Sequence, residues 1–319
     1  MEIYYNRSPT FGDFQEQVLR EDDDYQLKRI TIQSDAGDIV IDYFKRPERS
    51  DSVVLVFPVL GGKPVIENYF ADYFARYGFD TAIVHRDNDF KDPSKIDQIE
   101  ELFRSNVIRD RYALDFFEKH YQKRKFGSFG ISRGAINASI TAGIDDRLKH
   151  NVLVLGGSDL VKMFEKSNQK RIKKYVNSVM AQKNITKAQF FASLQKSIKT
   201  DPKNFARYID ARNTLMILGV FDRTVPFKYG ELLREQIGDP KTIYLMADHY
   251  LSLLYTQFFK LMPPGQKEFC LFPFDYVETE ALAFYRSSME TRERTFKLVP
   301  YKLIGLPFDL IGRALRQIF

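Results

Sequence analysis

The sequence predicts an α/β protein with a mostly parallel sheet covered by helices on both faces. Three observations favour this class. Apolar, strand-like runs alternate with helix-like segments; the run "SVVLVFPVL" is apolar throughout, as in a strand buried on both faces; and the glycine-flanked serine of "GISRG" joins a strand-like run to a helix-like one. At 319 residues, 44% of them hydrophobic, the chain is long enough to bury a full core.

The predicted elements start with an antiparallel hairpin, in which "YQLKRITIQS" and "DIVIDYFKR" flank the turn "DAGD". The strand "SVVLVFPVL", the helix "ENYFADYFARYG" and the strand "FDTAIVHR" form a βαβ unit. The helix "VIRDRYALDFFEKHY", the strand "KFGSFGIS", a helix from Gly134 and the strand "HNVLVLGG" follow. After residues 158–213, the strands "NTLMILGV" and "KTIYLMA" alternate with the helices "FKYGELLREQIG" and "YLSLLYTQFFKLM". In such sheets ligands bind beyond the carboxyl ends of the strands, so we expect functional residues there.

Composition excludes several classes of site. The single cysteine, Cys270, cannot form an internal disulfide, and no Cys/His cluster has zinc-site spacing, so we expect a reducing compartment, no metal and no cofactor. The N-terminus lacks the pattern of a secretory signal, and "VVLVFPVL" is much shorter than the roughly 20 apolar residues of a membrane span. We therefore expect a cytoplasmic protein.

Ser132 is the predicted nucleophile. It is the serine of G-x-S-x-G between Gly130 and Gly134, at a strand-to-helix turn. A serine on so sharp a turn has a strained backbone, and glycine two residues to either side removes side-chain collisions. The dipole of the following helix favours the negative charge that develops during acyl transfer. The alternative is a serine that merely caps that helix.

A serine hydroxyl needs a base, and the chain has only four histidines. His249 directly follows the last predicted strand and is the candidate base. His85, at the end of "TAIVH", is the competing candidate. His120 and His150 lie at the wrong ends of their strands.

The base in turn needs a carboxylate that fixes its tautomer. Asp222 lies just past the penultimate predicted strand and is the candidate. Asp159, just past "NVLVLGGS", is the alternative acid. Asp248 is too close to His249 in sequence to orient it.

The order Ser132, Asp222, His249 on alternating strands, with G-x-S-x-G and the acid loop "GVFDRTVP", resembles the α/β-hydrolase superfamily, in particular serine esterase- or lipase-like members with a helical cap. The resemblance implies the α/β-hydrolase fold, with an eight-stranded sheet that starts antiparallel. It also implies an oxyanion hole formed by two backbone N–H groups, those of Arg133 and Leu60, with Val59 as the fallback for Leu60.

The resemblance also suggests a domain organisation. Residues 1–157 and 214–262 would form the hydrolase core, 158–213 a helical, basic cap, and 263–319 a C-terminal helical extension. The cap carries thirteen Lys and Arg against four acids, more positive charge than the net +6 of the whole chain. The rest is slightly acidic, which argues against a nucleic-acid partner. The basic cap surface either attracts an acidic substrate or an anionic membrane, or is simply solvated.

The C-terminal stretch "LPFDLIGRALRQIF" has Phe308, Ile311, Leu315 and Ile318 in an apolar stripe. Such a helix can dock on its own domain, pair with a second copy, or bind peripherally to a membrane. These three alternatives remain open at the level of sequence.

The predicted function is that of a serine hydrolase that cleaves a carboxylic ester, or a related acyl bond, in a small acidic or lipid-like substrate. The same triad serves acyl transfer, thioester cleavage and peptidase action, and these stay open. A catalytically inactive binding or scaffold protein is the alternative from another class.

Overall fold

The computed structural model describes residues 2–7, 12–60, 64–86, 88–256, 276–289 and 300–317. A nine-stranded sheet runs through the described part of the chain, in the order β1-β2-β3-β5-β4-β6-β7-β8-β9. The strands are β1 Phe14–Glu21, β2 Gln26–Ile32, β3 Ile39–Lys45, β4 Ser52–Phe57, β5 Thr81–Val84, β6 Lys125–Ile131, β7 Leu148–Val154, β8 Thr214–Gly219 and β9 Lys241–Leu245.

Ten α-helices lie in the described ranges. They are α1 Val65–Arg76, α2 Ile99–Tyr121, α3 Arg133–Ile144, α4 Leu160–Lys166, α5 Lys170–Lys183, α6 Lys187–Ser197, α7 Pro202–Phe205, α8 Phe227–Ile237, α9 Tyr276–Met289 and α10 Pro300–Leu315. Short 3₁₀ helices occupy Glu2–Tyr5, Asp89–Lys91, Pro93–Gln98, Ala206–Tyr208, Ala211–Asn213 and Leu251–Tyr255. The helix predicted from Tyr250 is thus a single 3₁₀ segment as far as the described residues extend.

The predicted fold class is confirmed. Strands β4 to β9 pair in parallel with one another, whereas the pairs β1–β2, β2–β3 and β3–β5 are antiparallel, and β2 and β3 form the expected hairpin. The sheet has one strand more than expected. The additional strand is β1, which forms one edge of the sheet and is exposed along its whole length.

The alternation of side chains along β4 divides the core into two layers. All six residues of β4 are buried. Val53, Leu55 and Phe57 pack in one apolar cluster with residues of α2, α3 and α8, and Val54 and Val56 pack in another with residues of α1 and α9. Helices therefore cover both faces of the sheet, which explains why this strand is apolar throughout.

Residues 158–213 form helices α4 to α7 between β7 and β8. Phe190 and Leu194 of α6 are buried in a third apolar cluster, together with residues of α3 and α4. The segment is helical and packs on the core, as a cap would. The division into a core, a cap and an extension stays a prediction.

Helix α10 docks on β9, the second edge strand. Asp309 Oδ1 accepts a hydrogen bond from the backbone N–H of Tyr244 at 2.9 Å, and Arg313 Nη2 donates to the carbonyl of Thr242 at 2.8 Å. Gly312 is buried, and a Cβ there would lie 2.6 Å from Tyr244 Cβ. The helix thus binds polar groups that an edge strand leaves unpaired.

The docking face of α10 differs from the predicted apolar stripe. Ile311 is 44% exposed and Leu310 56% exposed, while Leu315 packs against the core. At the centre of the interface between α10 and β9, the backbone of α10 approaches Tyr244 closely at Gly312, where apolar side-chain contact was expected. The side chain of Phe308, together with Ile318 and Cys270, lies outside the described residues. Self-association and membrane contact stay predictions.

None of the described helices combines the length and apolar character that a membrane crossing requires.

Candidate active site

Ser132 occupies a strained turn between β6 and α3. Its backbone has φ 56° and ψ −118°, a left-handed φ that residues other than glycine adopt rarely. Ser132 N–H donates to the carbonyl of Val154 at 2.8 Å, which fixes the turn to the neighbouring strand β7. Such backbone strain, of order 1–3 kcal/mol, persists where the surrounding structure imposes it, and it is concentrated at functional sites.

The two flanking glycines leave no room for a side chain. A Cβ on Gly130 would lie 2.4 Å from the carbonyl carbon of Gly134, and a Cβ on Gly134 would lie 2.3 Å from the carbonyl oxygen of Phe57. Both contacts are with backbone atoms, which cannot move aside cheaply. The glycines are therefore required by close approach of β6, α3 and the end of β4.

Ser132 does not cap the helix that it precedes, because its side chain makes no capping hydrogen bond. It instead lines a cavity of about 600 Å³. The cavity is lined by residues of the loops after β4, β6, β8 and β9 and of the helical segment 158–213: Val59, Leu60, Ile66, Ile131, Ser132, Arg133, Ile136, Met163, Phe164, Asn168, Gln169, Lys170, Arg171, Ile172, Thr224, Val225, His249 and Tyr250.

His249 and Asp222 form a hydrogen-bonded pair at the same cavity. His249 Nδ1 lies 2.7 Å from Asp222 Oδ2, and the two side chains are 12% and 3% exposed. Asp222 Oδ1 accepts hydrogen bonds from the backbone N–H groups of Thr224 and Val225, at 2.8 and 3.0 Å. Because a carboxylate only accepts, Nδ1 carries the proton and Nε2 is left as a proton acceptor.

Ser132 and His249 line one cavity but do not form a hydrogen bond with each other. Nucleophile and base are often further apart in ligand-free enzymes than in the reacting complex. The arrangement therefore brings the hydroxyl, the imidazole and the carboxylate to the same edge of the sheet, without a hydrogen bond between Ser132 and His249.

The alternative histidines and acids have other partners. His85 Nε2 lies 2.8 Å from Asp42, and His85 does not line the cavity. Asp159 forms salt bridges with Lys162 and Lys203 at 2.9 and 3.3 Å. Of the two candidate acids, only Asp222 contacts His249.

Asp248, His120 and His150, the remaining candidates, do not line the cavity. Asp248 Oδ1 accepts from the backbone N–H groups of Tyr250 and Leu251, and so begins the 3₁₀ helix there. His120 stacks on Phe116, and His150 lies in β7 away from the cavity.

The loop after β4 contains the two alternatives for the second oxyanion donor. The backbone N–H of Val59 donates to Glu67 Oε1 at 2.6 Å, so this group is already used. Leu60 lines the cavity, and its N–H has no acceptor among the described residues. Of the two, Leu60 thus has the unused amide. Arg133, directly after Ser132, supplies the first N–H of α3, which has no partner within its own helix.

Glu67 was not expected from the sequence. It lies in the first turn of α1 and is 3% exposed, and burial raises the pKa of its carboxyl above the ordinary value. Oε2 has no hydrogen-bond partner among the described residues. In sequence it resembles any acid at a helix N-terminus, so nothing local indicates its contact with the Val59 amide.

Within the described ranges, no group of three or more His, Cys, Asp or Glu side chains is arranged to hold a metal ion.

No protein-family model matches the sequence, and no curated protein matches it either. Solved structures do match. Acetyl xylan esterase 1 from Thermoanaerobacterium has a TM-score of 0.60 and 15% identity over 82% of this chain and 93% of that chain. Acetyl xylan esterase from Paenibacillus sp. R4 has a TM-score of 0.58 and 17% identity over 74% and 83%. Pyrococcus horikoshii acylaminoacyl peptidase has a TM-score of 0.58 and 15% identity, over 86% of this chain and 43% of that chain.

The chain has the α/β-hydrolase fold. At these identities the likeness establishes the architecture and leaves the activity to the chemistry of the site. Within the α/β-hydrolase fold of this chain, Ser132, Asp222 and His249 follow β6, β8 and β9 and lie beyond the carboxyl ends of the parallel strands. Open α/β sheets bind their ligands at this edge.

Chemically, one cavity combines a hydroxyl on a strained turn, an imidazole held by a carboxylate, and the residues Arg133 and Leu60, whose backbone N–H groups have no described partner. Such a set can take a proton from the hydroxyl and stabilise an oxyanion. The lining is largely apolar, and residues 163–172 contribute a large part of it. An acyl group can therefore be held in an environment that limits access of water.

Proposed function

We propose that this protein is a serine hydrolase that cleaves a carboxylic ester through Ser132, His249 and Asp222. The observation that carries the proposal is the 2.7 Å hydrogen bond between His249 and the buried Asp222, at the cavity that Ser132 lines. A His–carboxylate pair at the same cavity as a serine with positive φ supports this proposal, because nucleophilic catalysis needs these three groups together. The esterases and the peptidase among the structural neighbours support a hydrolase of this type.

In the proposed reaction, Ser132 Oγ attacks the ester carbonyl and His249 Nε2 takes the hydroxyl proton. Asp222 holds the imidazole in the required tautomer and stabilises its cation. The N–H groups of Arg133 and Leu60 donate to the oxyanion. The ester C–O bond then breaks, and the alcohol leaves with the proton from His249. Water, deprotonated by His249, then attacks the acyl carbon, the bond from that carbon to Ser132 Oγ breaks, and His249 returns the proton to Oγ as the acid leaves.

The segment 158–213 is proposed to act as a cap. Met163, Phe164 and Ile172 line the cavity together with Ser132 and His249. Because these apolar side chains come from outside the sheet, they enclose the acyl group and influence the size of substrate that enters. An acyl substrate with a short or medium chain suits a cavity of about 600 Å³.

Hydrolysis of 4-nitrophenyl esters with acyl chains of increasing length tests the proposal. The wild-type protein should hydrolyse at least one of them, and Ser132→Ala should lower kcat by about 10³-fold or more. Ser94→Ala, at an exposed serine outside the cavity, is the matched control and should retain activity. Equal rates in wild type and Ser132→Ala would contradict the proposal. The corresponding thioesters and anilides separate esterase from thioesterase and peptidase action.

A further inference from the structure

Arg133 is a buried cation at the wall of the cavity. Arg133 is 7% exposed, directly follows Ser132 in the chain, and lines the same cavity. The guanidinium lies over the ring of Phe103, 4.2 Å from the ring centroid, and 5.3 Å from that of Phe90. These rings hold the planar group in place through cation–π contact. They offer it no hydrogen-bond acceptor of the kind that a guanidinium prefers.

The guanidinium of Arg133 has no acceptor among the described residues. Nε and Nη1 are buried without a hydrogen-bond partner, and no described carboxylate forms a salt bridge with the group. Nη2 also lacks a described partner but is not fully buried, and Arg133 lines the cavity, so Nη2 is the guanidinium nitrogen that is open to an acceptor from outside. Burial, followed by the nearby cation of Arg86, lowers the pKa of Arg133 to about 9. Asp201 lies close enough to oppose this shift in part, but no described carboxylate pairs with the guanidinium directly.

Two other buried cations among the described residues are compensated by carboxylates. Lys123, 3% exposed, forms a salt bridge with Asp80. The side chain of Arg86 is 4% exposed and pairs with Asp110 at 2.7 Å. Arg133 lacks such a partner although it is buried to a similar extent. Because an unpaired buried charge is costly, its retention at this position indicates a partner that arrives from outside.

The remaining charges at the cavity have the same sign. Lys170 and Arg171, at the start of α5, also line it, are exposed, and form no salt bridge with a described residue. No Asp or Glu is among the described residues that line the cavity. Glu67 accepts from the Val59 N–H and does not line the cavity, and burial raises the pKa of its carboxyl. The Lys and Arg side chains that line the cavity therefore favour an anion there, while the carboxylate of Asp222 lies behind His249 and is paired with its imidazole.

We propose that Arg133 binds a carboxylate of the substrate, so that the preferred substrates are esters whose acyl or alcohol part carries a negative charge. This inference rests on the proposed function, because it assigns a substrate class to the same cavity. Arg133 then has two separate roles, since its backbone N–H donates to the oxyanion and its side chain recognises the charged group. Lys170 and Arg171 guide the anion towards the cavity mouth, whereas Arg133 binds it inside.

Two pairs of esters test the proposal. For the acyl side, the charged 4-nitrophenyl hydrogen glutarate is compared with the neutral 4-nitrophenyl pentanoate. For the alcohol side, 4-acetoxybenzoate is compared with 4-acetoxybenzamide. In at least one pair, kcat/KM of the wild-type protein should be about tenfold or more higher for the charged ester, the size expected of a hydrogen-bonded charge pair. If kcat/KM for the charged ester is equal to or lower than that for the neutral ester in both pairs, the proposal is overturned.

The ratio of the two kcat/KM values in the preferred pair should fall about tenfold or more in Arg133→Met, which keeps an apolar chain between the rings but removes the charge. A less effective oxyanion hole would lower kcat/KM for both esters alike, so it would leave the charged-over-neutral ratio unchanged. Arg212→Gln, on an exposed side chain away from the cavity, removes one positive charge as a control and should keep the wild-type ratio. An unchanged ratio in Arg133→Met would overturn the proposal.

A measurement on the wild-type protein covers the case that Arg133→Met does not fold. In 0.5 M sodium chloride the charged-over-neutral ratio should stay within about threefold of its value in 0.05 M, because salt screens buried pairs weakly. A tenfold loss would assign the preference to the exposed Lys170 and Arg171 and overturn the role of Arg133. Hydrolysis of the neutral esters that depends on Ser132 tests the proposed function separately, whatever the ratio.

Discussion

Glu67 Oε1 accepts a hydrogen bond from the backbone N–H of Val59 at 2.6 Å, which ties the loop after β4 to the first turn of α1. Because the Val59 N–H already donates to Glu67, it is not available to an oxyanion, and the N–H of Leu60, the next residue, is the remaining candidate donor. A carboxyl group that touches no substrate thus positions one of the two proposed oxyanion donors.

Removal of the Glu67 acceptor should lower kcat more than it changes KM. In Glu67→Ala the Val59 N–H loses its partner and the loop is no longer fixed, so we expect kcat to fall about 10- to 100-fold, less than the roughly 10²- to 10³-fold loss when an oxyanion donor is removed outright. Glu67→Gln retains a carbonyl acceptor and should recover most of the rate. Steady-state kinetics on a neutral ester measures both. Equal kcat in Glu67→Ala and wild type would remove this positioning role.

The pH dependence of stability should report the raised pKa of Glu67. Burial favours its protonated form in the folded state, so between the unfolded and folded pKa values the native protein binds more protons than the unfolded chain. Its contribution to stability is therefore present at low pH and is lost as pH rises above the ordinary glutamate value of 4.5. Relative to wild type, the free energy of unfolding of Glu67→Gln should increase as pH rises from 4.5 towards neutrality. Urea unfolding at several pH values measures the difference, and a decrease would contradict the assignment.

Asp222→Asn should impair catalysis without unfolding the protein. The amide can still contact His249, but it stabilises the wrong tautomer and no longer balances the imidazolium, so kcat should fall about 10³- to 10⁴-fold. The matched control is Asp159→Asn, at the alternative acid, whose partners are Lys162 and Lys203. That variant should keep activity within about threefold, since losing its partly exposed ion pairs has a modest effect. A larger loss in Asp159→Asn than in Asp222→Asn would reverse the assignment of the acid.

Gly134→Ala should destabilise the fold itself. Its Cβ would lie 2.3 Å from the carbonyl oxygen of Phe57, and relief of that overlap must move α3 or β4. We expect the free energy of unfolding to fall by about 2 kcal/mol or more, as for other overpacked sites. Gly12→Ala is the control, because its Cβ would come no closer than 3.3 Å to a side-chain atom. If urea denaturation gives similar free energies of unfolding for Gly134→Ala and Gly12→Ala, the backbone contact at Gly134 does not exclude a side chain.

Helix α10 should protect the edge of β9. Gly312→Leu introduces a side chain where a Cβ alone would lie 2.6 Å from Tyr244 Cβ, so we expect the helix to separate from the strand. The amide of Tyr244 should then exchange with deuterium at least about tenfold faster, because its bond to Asp309 is lost, and the exposed edge should promote aggregation. Ile311→Ser, at an exposed position of the same helix, should change neither property. Unchanged exchange at Tyr244 in Gly312→Leu would contradict this function of the helix.

The sequence predicted those features that depend on local patterns. The hairpin of β2 and β3 follows from alternating apolar residues around a glycine turn, and the strained turn at Ser132 follows from Gly130 and Gly134. The contact between Asp222 and His249, residues 27 apart, could be expected because both follow neighbouring parallel strands. A position at the end of a strand is thus sufficient to bring distant residues together.

The features that the sequence did not predict depend on tertiary contacts. Strand β1 is exposed along its length and has no apolar alternation, so only its pairing with β2 makes it a strand. Helix α10 docks through Gly312 and polar side chains, and its apolar residues Leu310 and Ile311 stay exposed. The contact of Glu67 with Val59 and the position of Arg133 over Phe103 depend on how α1, α2 and α3 pack, which no local pattern specifies.

Covalent labelling with a fluorophosphonate tests the central claim most directly, since the reagent modifies only a serine that a neighbouring base activates. Intact-protein and peptide mass spectrometry should find one adduct, on Ser132, formed rapidly in the wild type and abolished in both Ser132→Ala and His249→Ala. An adduct on another residue, or equal labelling of the wild type and Ser132→Ala, would contradict the assignment of Ser132 as the nucleophile.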